Sequence, residues 1–348
     1  MALDSNSTAR KSLRVWLPAI RAGSGADVFT LRLAEALRRA GHVPLLQWFD
    51  HRYELLPDLL KKVPAPTAID VVQANSWQGF AFKREGTPLV VTEHHYVLDP
   101  AFRQFKSIAQ HLYHRGLIDG YMRRTFAVAD AVVVDSVFTA KVLRDQAKLT
   151  VSRTIPLWAD YDLFSPISQQ PAGCETEVFR LLFVGNASKR KGADVIPLLA
   201  ERLGTRFEIR CTAGLRAGGD VNDLENVIPL GRLSVQDLVR EYRYCDAVLV
   251  PSRYEGFGYA ALEAMACAKP VIGFRCGAVE EVVVDRETGL LFDIDDIDVM
   301  VDGCRTLASN RPLVRKLGAA GRERAVTHFS EKAGMDAYVE LYMSIAAA

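Results

Sequence analysis

The sequence predicts an α/β protein built from two doubly wound, Rossmann-like halves that face each other across a cleft. Three observations carry this. Short Val/Ile/Leu runs alternate with helical patterns, and near-continuous apolar runs are what burial on both faces of a parallel sheet demands. The alternation halts once, around Leu157 to Glu177, where Pro156, Pro166 and Pro171 stand among Ser and Gln, and then resumes. The chain has 348 residues, about two domains' worth.

Leu13 to Leu17 reads as the first strand. A glycine-rich turn follows, Arg21 to Asp27, then an amphipathic helix from Val28 to Ala40 with Leu31, Ala34 and Leu37 on one face, ended by Gly41. Val43 to Gln47, Ile69 to Val72, Pro88 to Thr92 and Ala131 to Val134 continue the strands. A second series begins at Val178 to Gly185 and runs through Arg206 to Cys211, Ala247 to Val250 and Val271-Ile272. Helices at Pro312 to His328 and Glu331 to Ile345 close the chain. The expected organisation is an N-terminal domain over 1–156, a linker over 157–177, a C-terminal domain over 178–328, and a final segment, 329–348, whose helix crosses back to the first domain.

Lys plus Arg number 43 and Asp plus Glu 42, a formal charge of +1, which argues against coating nucleic acid by bulk charge. Apolar residues make up 49 % and charged residues 24 %, the composition of an ordinary globule. No apolar run reaches the roughly 18 residues of a membrane span. Met1 to Lys11 is polar and lacks the apolar core of a secretory signal. Cys174, Cys211, Cys245, Cys267, Cys276 and Cys304 form no C-x-x-C pair and mostly sit in apolar stretches, as buried thiols of a reducing cytosol would. The histidines lack metal-ligand spacing, and His94 and His95 are expected to point apart on a strand.

In doubly wound sheets, ligands sit beyond the carboxyl ends of the strands. Two such loops stand out. In Asp246 to Ala266 a strand ends at Pro251, Glu255 lies in the loop, and Gly256 and Gly258 precede an alanine-rich helix that carries Glu263 two turns on. Unpaired N–H groups and the positive end of the dipole make the helix start an anion seat. Carboxylates beside such a seat suit hydroxyls instead, for example a ribose near Glu263 and a transferred hexose near Glu255 with a diphosphate between. Spacing alone equally fits two surface carboxylates flanking an ordinary helix. The second loop, Phe183 to Asp194, is strand, glycine turn and helix with Lys189, Arg190 and Lys191 at the turn. A run of cations against a helix N-terminus suits a bound anion; it also suits a solvated basic turn.

The run P-S-x-x-E-G-F-G-x-x-x-L-E-A-M-A, with a Glu-x7-Glu motif from Glu255 to Glu263, resembles the retaining GT-B glycosyltransferases of family 4, the glycosyl transferases group 1 domain. Other elements are similar in order along nearly the whole chain: Thr92-Glu93-His94, Ile155-Pro156 with Asp160, Phe164 and Pro166, Gly185 with Lys191-Gly192, Cys276 to Val282, and Thr288 to Leu291. The resemblance implies that Lys191 contacts the donor diphosphate and that Glu263 binds the ribose. It implies that Glu255 binds hydroxyls of the transferred sugar, helped by the N–H groups of Phe257, Gly258 and Tyr259. It also implies that Gly23 and Gly25 let the backbone approach the donor and that His94 lies beside the anomeric centre and the acceptor. Two departures stand out: the expected Arg after Gly185 is Asn186, a place Lys189 or Arg190 could fill, and Leu157-Trp158-Ala159 replaces the Asn-Gly before Asp160.

Gly23-x-Gly25 also invites a dinucleotide reading, but the third glycine position holds Val28 and no acidic residue follows a second strand in the usual way. Phe102 to Thr125 interleaves Arg103, Lys106, Arg115, Arg123 and Arg124 with Phe102, Phe105, Ile108, Leu112 and Leu117. That pattern fits docking on anionic lipid and equally fits a half-buried helix pair. The expectation is a cytoplasmic enzyme, free or on the inner face of the plasma membrane. It moves a sugar from a nucleotide-diphosphate sugar to a glycan or lipid-linked acceptor, with no metal, no cofactor and no nucleic-acid partner, in bacterial surface-polysaccharide or lipopolysaccharide synthesis. A nucleotide-sugar epimerase, a glycan phosphorylase, a sucrose-type synthase and a non-catalytic nucleotide-sugar-binding subunit stay open. Lys191, read as an exposed loop lysine, is expected to matter for turnover far more than for stability.

Overall fold

The computed structural model describes residues 12–167, 177–212 and 224–347. Met1 to Lys11, Cys174 and residues 168–176 of the expected linker lie outside them.

The described residues form two six-stranded sheets. The first series is β1 (Arg14–Ile20), α1 (Gly25–Arg39), β2 (Val43–Phe49), β3 (Val71–Asn75), β4 (Leu89–Glu93), α2 (Ile108–Tyr113), α3 (Asp119–Val128), β5 (Ala131–Val134), α4 (Val137–Val142) and β6 (Arg153–Thr154). Its sheet order is β2-β1-β3-β4-β5-β6, with β1 parallel to β2 and β3, and β3 parallel to β4. The second series is β7 (Phe179–Phe183), α5 (Val195–Leu203), β8 (Phe207–Thr212), β9 (Val227–Gly231), α6 (Val235–Tyr244), β10 (Ala247–Val250), α7 (Tyr259–Ala266), β11 (Val271–Phe274), α8 (Val279–Val282), β12 (Gly289–Phe292), α9 (Ile297–Ser309), α10 (Arg311–His328) and α11 (Glu331–Ala346). Its order, β12-β11-β10-β7-β8-β9, is parallel throughout. Both sheets are doubly wound, as expected, and the second has the strand order of a dinucleotide-binding half.

Two compact units emerge. One holds the described residues within 1–92, 117–133 and 335–348; the other holds those within 93–116 and 134–334. Within the first unit α11 packs through buried Tyr338 and Tyr342. The Tyr342 hydroxyl donates to Gln73 Oε1 at 3.0 Å, and Tyr338 lies 3.3 Å from Thr92 Oγ1. Within the second unit Leu157, Trp158 and Phe164 are buried, and Arg322 holds the carbonyls of Phe164 and Ala266 at 2.9 and 2.8 Å, so residues 157–165 are strapped to the end of α7.

Some local expectations change. Helix α1 begins at Gly25, not Val28, because Ser24 caps it, its Oγ accepting from the Ala26 N–H at 3.3 Å. Its buried stripe is Phe29, Leu33, Ala34 and Leu37, while Leu31 is 52 % exposed. His94 and His95 are not on a strand: β4 ends at Glu93, whose Oε1 accepts the His95 N–H at 3.1 Å and so replaces the next ladder bond. Strands β9 and β12 were not anticipated; they are the sheet edges, and β9 carries Pro229, which an edge tolerates.

Candidate active site

In the second sheet the strand order reverses between β7 and β10, which pair with Leu181 opposite Ala247 and Phe183 opposite Leu249. Such a reversal is where open α/β sheets bind ligands, because the crossovers leave in opposite directions and their loops part. The two loops singled out in the sequence follow these two strands. After β7 the cations Lys189 to Lys191 form a single 3₁₀ turn capped by Ser188, and α5 starts only at Val195. They therefore do not sit on the N-terminus of that helix as expected. Gly192 ends the turn at φ +74°, and a Cβ there would lie 2.0 Å from the Pro251 carbonyl oxygen, so only glycine lets the loops close on each other.

Glu255 is buried, and its carboxylate is engaged by Lys191, Arg190 and Ser252. Lys191 Nζ donates to Oε1, Ser252 Oγ donates to Oε1 at 2.8 Å, and Arg190 Nη1 reaches Oε2 at 3.5 Å and the Tyr254 carbonyl at 2.9 Å. Burial works to raise the carboxyl's pKa; the two cations and the hydrogen bonds outweigh it and hold it at about 2. Lys191 is consequently no free loop lysine. Its side chain is 21 % exposed and compensates a buried charge, so it carries stability as well. Asn186 and Lys189 are exposed, Asn186 Oδ1 accepting from Ser188 Oγ at 2.8 Å, whereas Arg190 contacts Glu255.

The Glu255 loop and the His94 loop touch through backbone. A Cβ on Gly256 would lie 1.8 Å from the His94 carbonyl oxygen. Ser136 Oγ donates to the Gly256 carbonyl at 2.6 Å, and Tyr254 OH donates to Asp99 Oδ2 at 2.9 Å. His94 Nδ1 lies 3.0 Å from Oδ2 of Asp135, a buried residue just past β5. Burial lifts the Asp135 carboxyl to about 6, against the pull of the His94 hydrogen bond. His95, beside it, is driven down to about 3, by burial first and then by Arg190.

Helix α7 opens on Gly258, at φ +108°, with Tyr259 its first residue and Phe257 buried against Tyr259 and Phe329. Its buried face packs on α10, where a Cβ on Gly318 would meet the Ala268 carbonyl at 2.1 Å. Glu263, buried on α7, accepts from Tyr242 OH at 3.0 Å, and burial followed by that carboxylate pushes the phenol well above its usual range. In the first unit, Gly23, at φ +63°, and Gly25 lie in an exposed turn. The Asp27 carboxylate accepts from the Gly23 N–H at 2.8 Å and the Ala22 N–H at 3.1 Å, so these two amides of the turn are occupied from within.

The structure thus gathers His94, Arg190, Lys191 and Glu255, and places Glu263 on α7, the helix that follows the Glu255 loop. Sequence reading missed Asp135, Ser252, Tyr254 and Asp99. Asp135 carried the one available signal, a carboxylate directly after the apolar run Ala131 to Val134. Among residues 102–116, Ile108 and Leu112 are 74 % and 65 % exposed while Phe102 is buried. In the other unit Arg124 is engaged by Asp58 at 2.9 Å and stacks on Phe80, and Arg123 pairs with Asp119 at 2.8 Å. Among the described residues no helix is long and apolar enough to cross a membrane.

The pattern of the Glycosyl transferases group 1 family matches residues 220–324. An uncharacterized glycosyltransferase of Methanocaldococcus jannaschii is 34 % identical over 41 % of this chain and 42 % of its own length. A D-inositol 3-phosphate glycosyltransferase of Geodermatophilus obscurus is 28 % identical over 81 % of this chain and 68 % of its own. The chain thus matches under half the length of the first relative. Among solved structures, the sucrose-phosphate synthase of Thermosynechococcus elongatus superposes with a TM-score of 0.79 at 21 % identity, covering 97 % of this chain and all of that one. Anabaena HepE in complex with UDP and glucose gives 0.74 at 17 %, covering 96 % and all of that chain. At these identities the likeness shows the fold. The group 1 pattern thus runs from β9 into α10 and includes the Glu255 loop and α7, and the two-sheet architecture along the chain is the GT-B fold of these solved structures.

Proposed function

We propose that the chain transfers a sugar from a nucleotide-diphosphate sugar to a glycan or lipid-linked acceptor, with retention of anomeric configuration and without a metal ion. The observation that carries the reading is Glu255, kept ionised between Lys191 and Arg190 at the glycine-capped start of α7. As the anomeric C–O bond breaks, negative charge grows on the departing diphosphate. Lys191, Arg190 and the N–H groups of Phe257, Gly258 and Tyr259 are fixed charges and dipoles of the right sign to receive it. Glu255 repels phosphate and accepts hydrogen bonds from hydroxyls of the transferred sugar; Glu263 does the same for the ribose. His94 lies at the reacting end of the sugar.

Exposed Ile108 and Leu112, with Arg103, Lys106 and Arg115 nearby in sequence, support contact with an anionic membrane surface, where lipid-linked acceptors reside. The context proposed is cytoplasmic synthesis of a bacterial surface glycan.

The test is a ligand screen by thermal shift and saturation transfer with GDP-, UDP-, ADP- and dTDP-sugars, followed by turnover with and without EDTA. One nucleotide-sugar should bind, and the new linkage should show the donor's anomeric configuration by ¹H NMR. EDTA should leave the rate intact. Binding of none of these donors, an inverted product, an absolute demand for inorganic phosphate, or a rate abolished by EDTA and restored by Mn²⁺ would each count against the corresponding part.

A further inference from the structure

The pair formed by His94 and Asp135 is not needed to explain how a nucleotide-sugar is held, and it is costly. Asp135 is 2 % exposed, and its Oδ1 has no hydrogen-bond partner among the described residues. A buried carboxylate with one bare oxygen destabilises a fold compared with an apolar or neutral residue of similar size. A purely structural account therefore leaves its presence unexplained. What the carboxylate does engage is His94, at 3.0 Å from Nδ1. The histidine's main chain is held from another side, since Gly256 packs on its carbonyl oxygen with no room for a methyl group. Ser136, next to Asp135, closes the ring by donating to the Gly256 carbonyl at 2.6 Å, and Thr139 Oγ1 reaches the same oxygen at 3.3 Å. The strand end that carries Asp135, the loop that carries His94 and the loop that carries Glu255 are thus locked to one another within one unit.

We infer that Asp135 is a positioning residue: by accepting the Nδ1 proton it fixes the His94 tautomer and ring plane, so that Nε2 is presented as a hydrogen-bond acceptor toward a hydroxyl at the reacting end of the sugar. The physical logic is that of any oriented imidazole. A neutral ring has one N–H and one lone pair, and a carboxylate on one nitrogen decides which is which. The buried charge is tolerated because the same contact steadies the ring. The inference rests on the reading that His94 lies at the reacting end of the site.

The experiment compares Asp135→Asn, His94→Ala and the double variant, and records ¹⁵N spectra of the wild-type imidazoles, with the His94 signals assigned by their loss in His94→Ala. Asp135→Asn should lower kcat at least about 10-fold with donor KM within threefold, by analogy with the loss when a carboxylate that orients a metal-bound histidine is removed. It should cost nothing further in the His94→Ala background. The wild-type His94 ring should be protonated at Nδ1, and the Asn variant should shift toward the other tautomer. Wild-type turnover in His94→Ala overturns the placement of His94 itself. A slow His94→Ala enzyme that Asp135→Asn slows again by the same factor overturns the positioning role alone, as does an unchanged rate in Asp135→Asn. If the Asn variant fails to fold, the wild-type spectrum decides: protonation at Nε2 refutes the inference.

Discussion

Replacing Gly256 by alanine adds one methyl group where the chain has left no room. The Cβ would stand 1.8 Å from the His94 carbonyl oxygen and 2.9 Å from His95 Cβ, where ordinary contact begins near 3.4 Å. The shortfall to the oxygen is about 1.6 Å, and the obstacle is backbone, which cannot rotate aside like a side-chain tip. Either the His94 loop or the Glu255 loop must move by more than 1 Å. Displacements of about 1 Å at a reacting centre cost on the order of 100-fold in rate, so kcat/KM should fall about 100-fold or more. Overpacking of this kind costs about 1–3 kcal/mol, which leaves a protein of this size folded at 25 °C. The assay is initial rate against donor concentration beside a thermal melt, with Gly120→Ala as the control. That glycine lies in α3 with nothing within 4 Å of the added methyl, and the change should be neutral or slightly stabilising. A Gly256→Ala enzyme with a rate within threefold of wild type and an unchanged melting temperature would refute the close approach of the two loops.

Lys191→Met should lower turnover about 100-fold or more by removing a cation from the diphosphate site. It should also cost stability in urea titration, about 2 kcal/mol, less than for a fully buried pair because the lysine is 21 % exposed and Arg190 remains. Adding Glu255→Gln should restore the stability and not the rate; recovery of both would remove the catalytic assignment. Glu255, with its pKa lowered from 4.5 to about 2, stabilises the fold above about pH 4.5, and that contribution is lost as pH falls toward 2. At 1.36 kcal/mol per pKa unit this amounts to an upper figure of about 3 kcal/mol. Glu255→Gln should therefore flatten the stability curve between pH 4.5 and 2 while leaving its shape near neutrality, and a parallel curve would contradict the ion-pair account.

Much of this protein could be read from local pattern alone. Apolar runs such as Ala131 to Val134 and Ala247 to Val250 declare two-sided burial whatever surrounds them, so the strands, the alternation and the doubly wound class followed from composition along the chain. The Glu255 to Glu263 run was legible because a strand end, a glycine turn and a helix start are set by neighbouring residues. Other features belonged to the tertiary structure. The pairing of β7 with β10 decides that the Lys191 loop and the Glu255 loop meet, and nothing within either loop specifies that. The edge strands β9 and β12 take their conformation from their partners more than from their own sequences. Asp135 gained its meaning only when its carboxylate came to lie against His94, 41 positions earlier in the chain. Which segments become strands and helices, and which residue types line the strand ends, follows from local pattern, because those depend on neighbours a few residues away. Which charges are buried together, and what each costs, emerges only on folding, because electrostatic and steric terms depend on distance in space and folding brings together groups that the chain keeps apart.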